Sequence, residues 1–178
     1  MEFTHQGNHR MDIATTFGVL GVFANTLWPL IKPRKLMLMG QFVACALMGI
    51  HFSLLGASTG AMVLLVAGIQ ALLAVPLESH PKFKKVYLLS LLLTPFVCWY
   101  SWQGIPSIFS SLALLFFCIG NLQVGTKSMR IFLILCIFGW IGHNLLIGSY
   151  PALVSNGLAL ITSTYGLYRE YRPKMVCK

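Results

Sequence analysis

An all-α integral membrane protein is the fold class this sequence predicts: seven transmembrane helices, built as two parallel three-helix repeats joined by a fourth helix. Three observations carry that expectation. The chain is 57% hydrophobic and 10% charged, with mean hydropathy +0.77, whereas soluble domains are about 25% charged. A soluble fold of 178 residues has no interior for so much apolar surface, so its solvent is lipid. Basic linkers alternate with uncharged ones along the chain. Finally, the sequence returns on itself after 92 positions.

Taken in order, residues 1–11 read as a polar N-terminal tail. Met11 stands before Asp12 and the first apolar run, and is a candidate natural start. His5 and His9 share a helical spacing, but in a polar tail that spacing fits disorder better than metal binding. The first span covers 12–31 and ends in Lys32-Pro33-Arg34-Lys35, a stop-transfer pattern rather than a cleavage site. The second span is expected at 36–55, the third at 60–77, the fourth at 86–103, the fifth at 105–123, the sixth at 128–147 and the seventh at 151–170. Each is long enough, or nearly so, to cross a bilayer at about 1.5 Å per residue. Repeat 1 is thus 12–77, a basic loop and linker helix fill 78–103, repeat 2 is 104–170, and 171–178 is a basic tail.

Twelve of the thirteen Lys and Arg residues fall on one side of this arrangement, and Arg10 alone falls on the other. The linkers Gly56-Ala57-Ser58-Thr59, Gln103-Gly104 and Gly148-Ser149-Tyr150 carry no charge. The positive-inside rule then puts the N-terminus outside and the C-terminus in the cytoplasm. A net charge of +9 would suggest a nucleic-acid partner in a soluble protein. Here the charges sit in short blocks between apolar runs, so they set topology, and the partner is the lipid bilayer, not nucleic acid.

The repeat shows in matched residues. Lys35 matches Lys127, Met37 matches Met129, His51 matches His143, Leu54 matches Leu146, Gly56 matches Gly148, Ala67 matches Ala159 and Ile69 matches Ile161, without a gap. Matched leucines mean little between apolar spans, but Lys, His and Gly coinciding at one offset point to duplication. One connecting helix makes the first and fifth spans run the same way. The repeats are therefore parallel, as in the SWEET sugar facilitators.

The runs KPRKLMLMGQFVACALMGIHFSLLGASTGA and GWIGHNLLIGSYPALVSNGLALITSTYGLYR resemble the YgjV-like family of bacterial inner-membrane proteins. The telling pieces are basic-Pro-basic before the second span, His-x3-Leu-Gly at its end, and Asn near the start of the seventh, within a resemblance over about residues 13–172. It implies an inner-membrane location and a SWEET-like 3+1+3 transporter fold more than any activity. Leu64 and Gln70 stand where family members often carry Asn and Arg, and Trp28-Pro29 where SWEET relatives carry Pro-Gln. These departures weigh against carrying a sugar substrate over from the resemblance.

Polar groups within a bilayer are costly and tend to face the bundle interior. The seventh span offers Ser155 and Thr162, and Asn156 and Ser163, each pair one heptad apart on one helix face, with Gly166 continuing it. They read either as half of a site for a small polar solute, with Asn156 giving donor and acceptor together, or as polar contacts between helices. His51, and His143 with its neighbour Asn144, read as lining of an outer vestibule, as axial haem ligands, or as interfacial histidines bonded to nearby carbonyls. Trp99 is either an aromatic contact for a ligand or part of an interfacial belt. Trp28-Pro29 and Pro95 are candidate gate and hinge positions, since an internal proline frees a carbonyl and bends its helix. Gln41, Gln70, Asn121 and Gln123 are further candidates to line a path.

Cys45, Cys98, Cys118 and Cys136 lie inside apolar runs and Cys177 in the tail; the odd count and the spacings fit packing, not a disulfide framework or zinc site. The carboxylates Glu2, Asp12, Glu78 and Glu170 all lie at span ends or in loops, and no Ser-His-Asp set, metal motif or phosphate-cradling loop is recognisable, so neither an enzyme nor a resident cofactor is expected. The expectation is a passive facilitator for a small polar solute. The competing readings are a membrane accessory protein that binds a partner, and a cofactor carrier using His51 and His143. Self-association into a homo-oligomer is compatible with all three.

Overall fold

The structure is a computed structural model that describes residues 2–56, 58–146, 148 and 150–171, with side chains described from Asp12 onward except at Ser58, Thr59, Leu93 and Pro151. The described residues form helices and short linkers, without strands. The helices are α1 (Glu2–Leu27), α2 (Arg34–Leu54), α3 (Ser58–Ala74), α4 in two pieces (Lys84–Leu91 and Leu93–Tyr100), α5 (Ile105–Leu122), α6 (Thr126–Leu146) and α7 (Tyr150–Tyr171). The segment 2–11, expected as a tail, is helical from Glu2 and continuous with α1. Residues 172–178, and with them Cys177, lie outside the described residues.

Prolines and glycines set the boundaries. Pro33 caps α2, and Pro106 sits in the first turn of α5, where its missing N–H costs no helix bond. Gly56 and Gly148 close α2 and α6 with φ of +77° and +69°, a left-handed conformation that glycine adopts without strain. These two glycines are the pair matched in sequence. Short 3₁₀ turns at Trp28–Leu30 and Val75–Leu77 extend α1 and α3 through Pro29 and Pro76.

Among the described residues, five helices are long and apolar enough to cross a membrane: Asp12–Leu30, Arg34–Leu54, Gly60–Leu77, Ile105–Leu122 and Thr126–Leu146. The other two expected spans fall short for separate reasons. The fourth is broken at Leu92, whose N–H bonds back to the Leu89 carbonyl three residues earlier. Pro95 explains the break, because its ring excludes the carbonyl four residues before it, that of Leu91, and offers it no N–H. The seventh span is 22 residues long, but its Ser, Thr, Asn and Tyr residues dilute its apolar character.

Around the molecule, α1 packs on α2, α2 on α3, α3 on α5, α5 on α6, α6 on α7 and α7 back on α1. The α4 pieces lie outside this ring against α3 and α5. Tyr87 fixes the first piece: it is fully buried and donates to the Cys118 carbonyl at 2.7 Å. Gln70 fixes the second by donating to Thr94 Oγ1 at 3.0 Å, while the Cys118 thiol donates to Gln70 Oε1. Cys45, Cys118 and Cys136 are buried free thiols and Cys98 is half-buried. Large apolar side chains such as Phe23, Met39, Leu65, Phe96 and Ile161 point outward, as a lipid solvent requires.

Candidate functional site

All six ring helices contribute to one central cavity of about 100 Å³. Its polar lining is Asn25 on α1, Gln41 on α2, Asn144 on α6, and Ser155 and Asn156 on α7. Trp28, Phe52, Phe117 and Trp140 form aromatic walls. Several lining residues occupy matched positions 92 apart: Asn25 with Phe117, Gln41 with Leu133, Ala44 with Cys136, Met48 with Trp140, Phe52 with Asn144, and Leu64 with Asn156. The two halves thus supply equivalent places with different chemistry.

Within the cavity Trp28 Nε1 donates to Asn25 Oδ1 at 3.2 Å, and Asn25 Nδ2 donates to Ser155 Oγ at 3.4 Å. Two carboxamides lack such partners. Neither Gln41 Nε2 nor Oε1 has a hydrogen bond, and Asn156 Nδ2 has none. Burying such groups unpaired costs about 1–3 kcal/mol each.

The residues singled out in the sequence do not converge on one place. Asn156, Ser155, Asn144 and Trp28 line the cavity. Ser163 is buried on the same helix with an unpartnered hydroxyl, but does not line it. Thr162 turns its hydroxyl back onto the Leu158 and Ala159 carbonyls at 3.1 and 3.2 Å. His51 Nδ1 donates to the Ala14 carbonyl at 2.7 Å, and His143 Nδ1 to the Pro106 carbonyl at 2.9 Å. Ala14 and Pro106 are themselves 92 apart, so one histidine-to-carbonyl bond occurs twice. Each ties neighbouring helices, α2 to α1 and α6 to α5, and neither histidine lines the cavity. Trp99 is 81% exposed. It lies with Pro95 and Trp102 in a separate apolar groove of about 530 Å³ between α4 and α5. Pro29 is buried in the 3₁₀ turn at the end of α1. Of the further path candidates, Gln41 alone lines the cavity.

Two residues read in the sequence only as topology charges prove to be buried. Arg34 is 4% and Arg130 2% exposed, both at the end that carries the basic linkers. From α2, Arg34 donates to the carbonyls of Gln123 at 2.9 Å, Ala74 at 3.0 Å and Asn121 at 2.7 Å. From α6, Arg130 donates to the carbonyls of Pro29 and, at 2.8 Å, of Ile31, with Glu170 at 3.9 Å from its Nε. Asn121 and Gln123 stand 92 positions after Pro29 and Ile31. Each arginine therefore clasps the same two carbonyls of the opposite helix triplet, where α1 or α5 ends and its last carbonyls lack helical partners. Gly166 is needed at the second clasp, because a Cβ there would run into the Arg130 guanidinium and the Pro29 carbonyl. The Arg130 clasp takes carbonyls that follow Trp28 in the chain, and both clasps cross the seam between α1–α3 and α5–α7. No sequence signal separated Arg34 from the lysines beside it.

A family model described as a bacterial inner membrane protein, Imp-YgjV, matches residues 12–174. No curated protein and no solved structure matches the chain.

Proposed function

The chain belongs to the Imp-YgjV family of bacterial inner membrane proteins, and from that premise we propose that it is a passive facilitator for a small polar solute. In this reading seven helices cross the membrane with the N-terminus outside, and two parallel triplets, α1–α3 and α5–α7, rock about a pseudo-two-fold axis in a SWEET-like 3+1+3 arrangement. The observation that carries it is the cavity in the seam, lined from all six helices, with paired arginine clasps across the same seam. Transporters built from repeats bind near mid-membrane at the repeat interface. The duplicated histidine bonds, the paired positive-φ glycines and the reciprocal packing of α3 on α5 and α7 on α1 support the repeat.

In this reading the end with the basic linkers faces the cytoplasm, the two clasps hold it closed, and their release opens it. Asn156 is the main polar contact from α7. Among the described residues no Asp or Glu lines the cavity; in this reading no carboxylate couples solute to protons and movement is downhill. The test is flux into liposomes carrying purified protein, across a broad solute panel. Wild type should exceed protein-free liposomes for some solute, and Asn156→Leu should lose that excess by about tenfold or more while unfolding no earlier, since an unpaired amide is removed. If wild type moves nothing and Asn156→Leu only unfolds more easily, the accessory-protein reading replaces this one.

A further inference from the structure

We propose that the cavity is a binding site for a small uncharged solute of the amide or urea kind, held by Gln41 and Asn156 from opposite triplets; this names the solute class and rests on the facilitator reading for its route. Gln41 is 1% and Asn156 8% exposed, and both line the cavity. Gln41 leaves an acceptor and a donor unpaired, and Asn156 leaves a donor unpaired.

Packing does not require these amides. The position matched to Gln41 in the other triplet is Leu133, and the position matched to Asn156 is Leu64; both leucines line the same cavity. The framework therefore accepts leucine at either place. The two carboxamides break its symmetry and leave hydrogen-bonding capacity unused in a buried space. Asn25, Trp28 and Ser155 already satisfy one another in part, so the unmet demand belongs to Gln41 and Asn156.

That demand defines the occupant. Gln41 Oε1 needs a donor, whereas Gln41 Nε2 and Asn156 Nδ2 need acceptors. A molecule with both on a small frame meets it. Among the described residues, no Lys, Arg, His, Asp or Glu lines the cavity. An ion there would lose its hydration with no opposite charge to replace it, and is rejected.

Urea, guanidinium and nitrate test this directly, being planar and of similar size but neutral, cationic and anionic. Full-length protein in liposomes should speed urea entry, with guanidinium and nitrate at the protein-free rate. Binding is read separately in detergent through the emission of Trp28 and Trp140, which line the cavity. Urea should change it for wild type, and Gln41→Leu should weaken that response by about tenfold, as expected for one lost buried hydrogen-bond partner. Gln41→Met, of similar length, repeats the test should leucine disturb packing. Guanidinium or nitrate moving as fast as urea overturns the proposal. So does urea binding that Gln41→Leu and Gln41→Met leave unchanged, because the cavity then holds water at those amides. A urea response lost in the Gln41 variants but without flux keeps this site and ends the facilitator reading. Flux of another solute, with no urea response, does the reverse.

Discussion

At the scale of single residues, glycines report how closely the helices approach. A Cβ at Gly139 would lie 2.9 Å from Ala113 Cβ and 3.0 Å from that residue's backbone. Backbone cannot swing aside, so Gly139→Ala should destabilise by about 1–3 kcal/mol. Gly157 meets nothing within 4 Å, so Gly157→Ala should stabilise by up to about 1 kcal/mol, the helical preference for alanine. Thermal unfolding in one detergent, measured side by side, checks both signs. A second close pair shows why the repeat is only partly readable. Trp28 packs over Gly40, and at the matched places Gly120 packs against Phe132, with would-be Cβ contacts of 2.8 and 3.1 Å. Large and small have changed sides, so the contact persists while neither position matches in sequence. Asn25 escaped notice because one polar residue in an apolar run carries no spacing signal. Thr162 misled because a heptad step drifts around the helix: the buried α7 positions are Ala152, Ser155, Asn156, Ala159, Ser163 and Gly166, leaving Thr162 at the margin.

At the scale of elements, the clasps and the broken helix make the sharpest expectations. Arg34→Gln or Arg130→Gln removes charge-assisted bonds to helix-end carbonyls, each about 1.5–3 kcal/mol. Each variant should unfold earlier, and maleimide applied from the basic-linker side should label Cys45 and Cys136, which line the cavity, faster than in wild type. Glu170→Gln should do far less, since Glu170 is a quarter exposed and sits at 3.9 Å, where such pairs contribute about 0–1 kcal/mol. Pro95→Ala should restore the missing helical bond and slow hydrogen exchange at residues 92–96; unchanged exchange would mean that Tyr87 and Gln70, not Pro95, impose the break. Element placement was legible in the sequence because apolar runs, prolines and glycines mark ends locally. The burial of Arg34 was not, because composition reveals the sign of a helix-end charge and not whether it turns toward water or toward another helix.

At the scale of the whole molecule, the orientation expectation rests on the Lys and Arg distribution. Single cysteines in Cys-free protein should be labelled from the periplasm at Gly148→Cys and from the cytoplasm at Lys84→Cys; the opposite pattern would invert the molecule. The charge asymmetry and the repeat were legible because both are long-range regularities of one string. The cavity was not, since it depends on which faces six helices turn to a common centre. The clasps carry one further consequence, for assembly. Each half of the chain holds a bolt, Arg34 or Arg130, and a socket, the two carbonyls near the end of α1 or α5. The sockets are equivalent, but the bolts sit one helical turn apart in register, since position 126 is Thr and position 38 is Leu. Arg34 of one first half would thus find, on another first half, the same pair of carbonyls it finds on the second. Such a contact, made in both directions, would pair two first halves in the manner of a two-fold dimer. Co-expressed as separate pieces, the halves should therefore reassemble in the membrane, with pairs of first halves as their chief competitor.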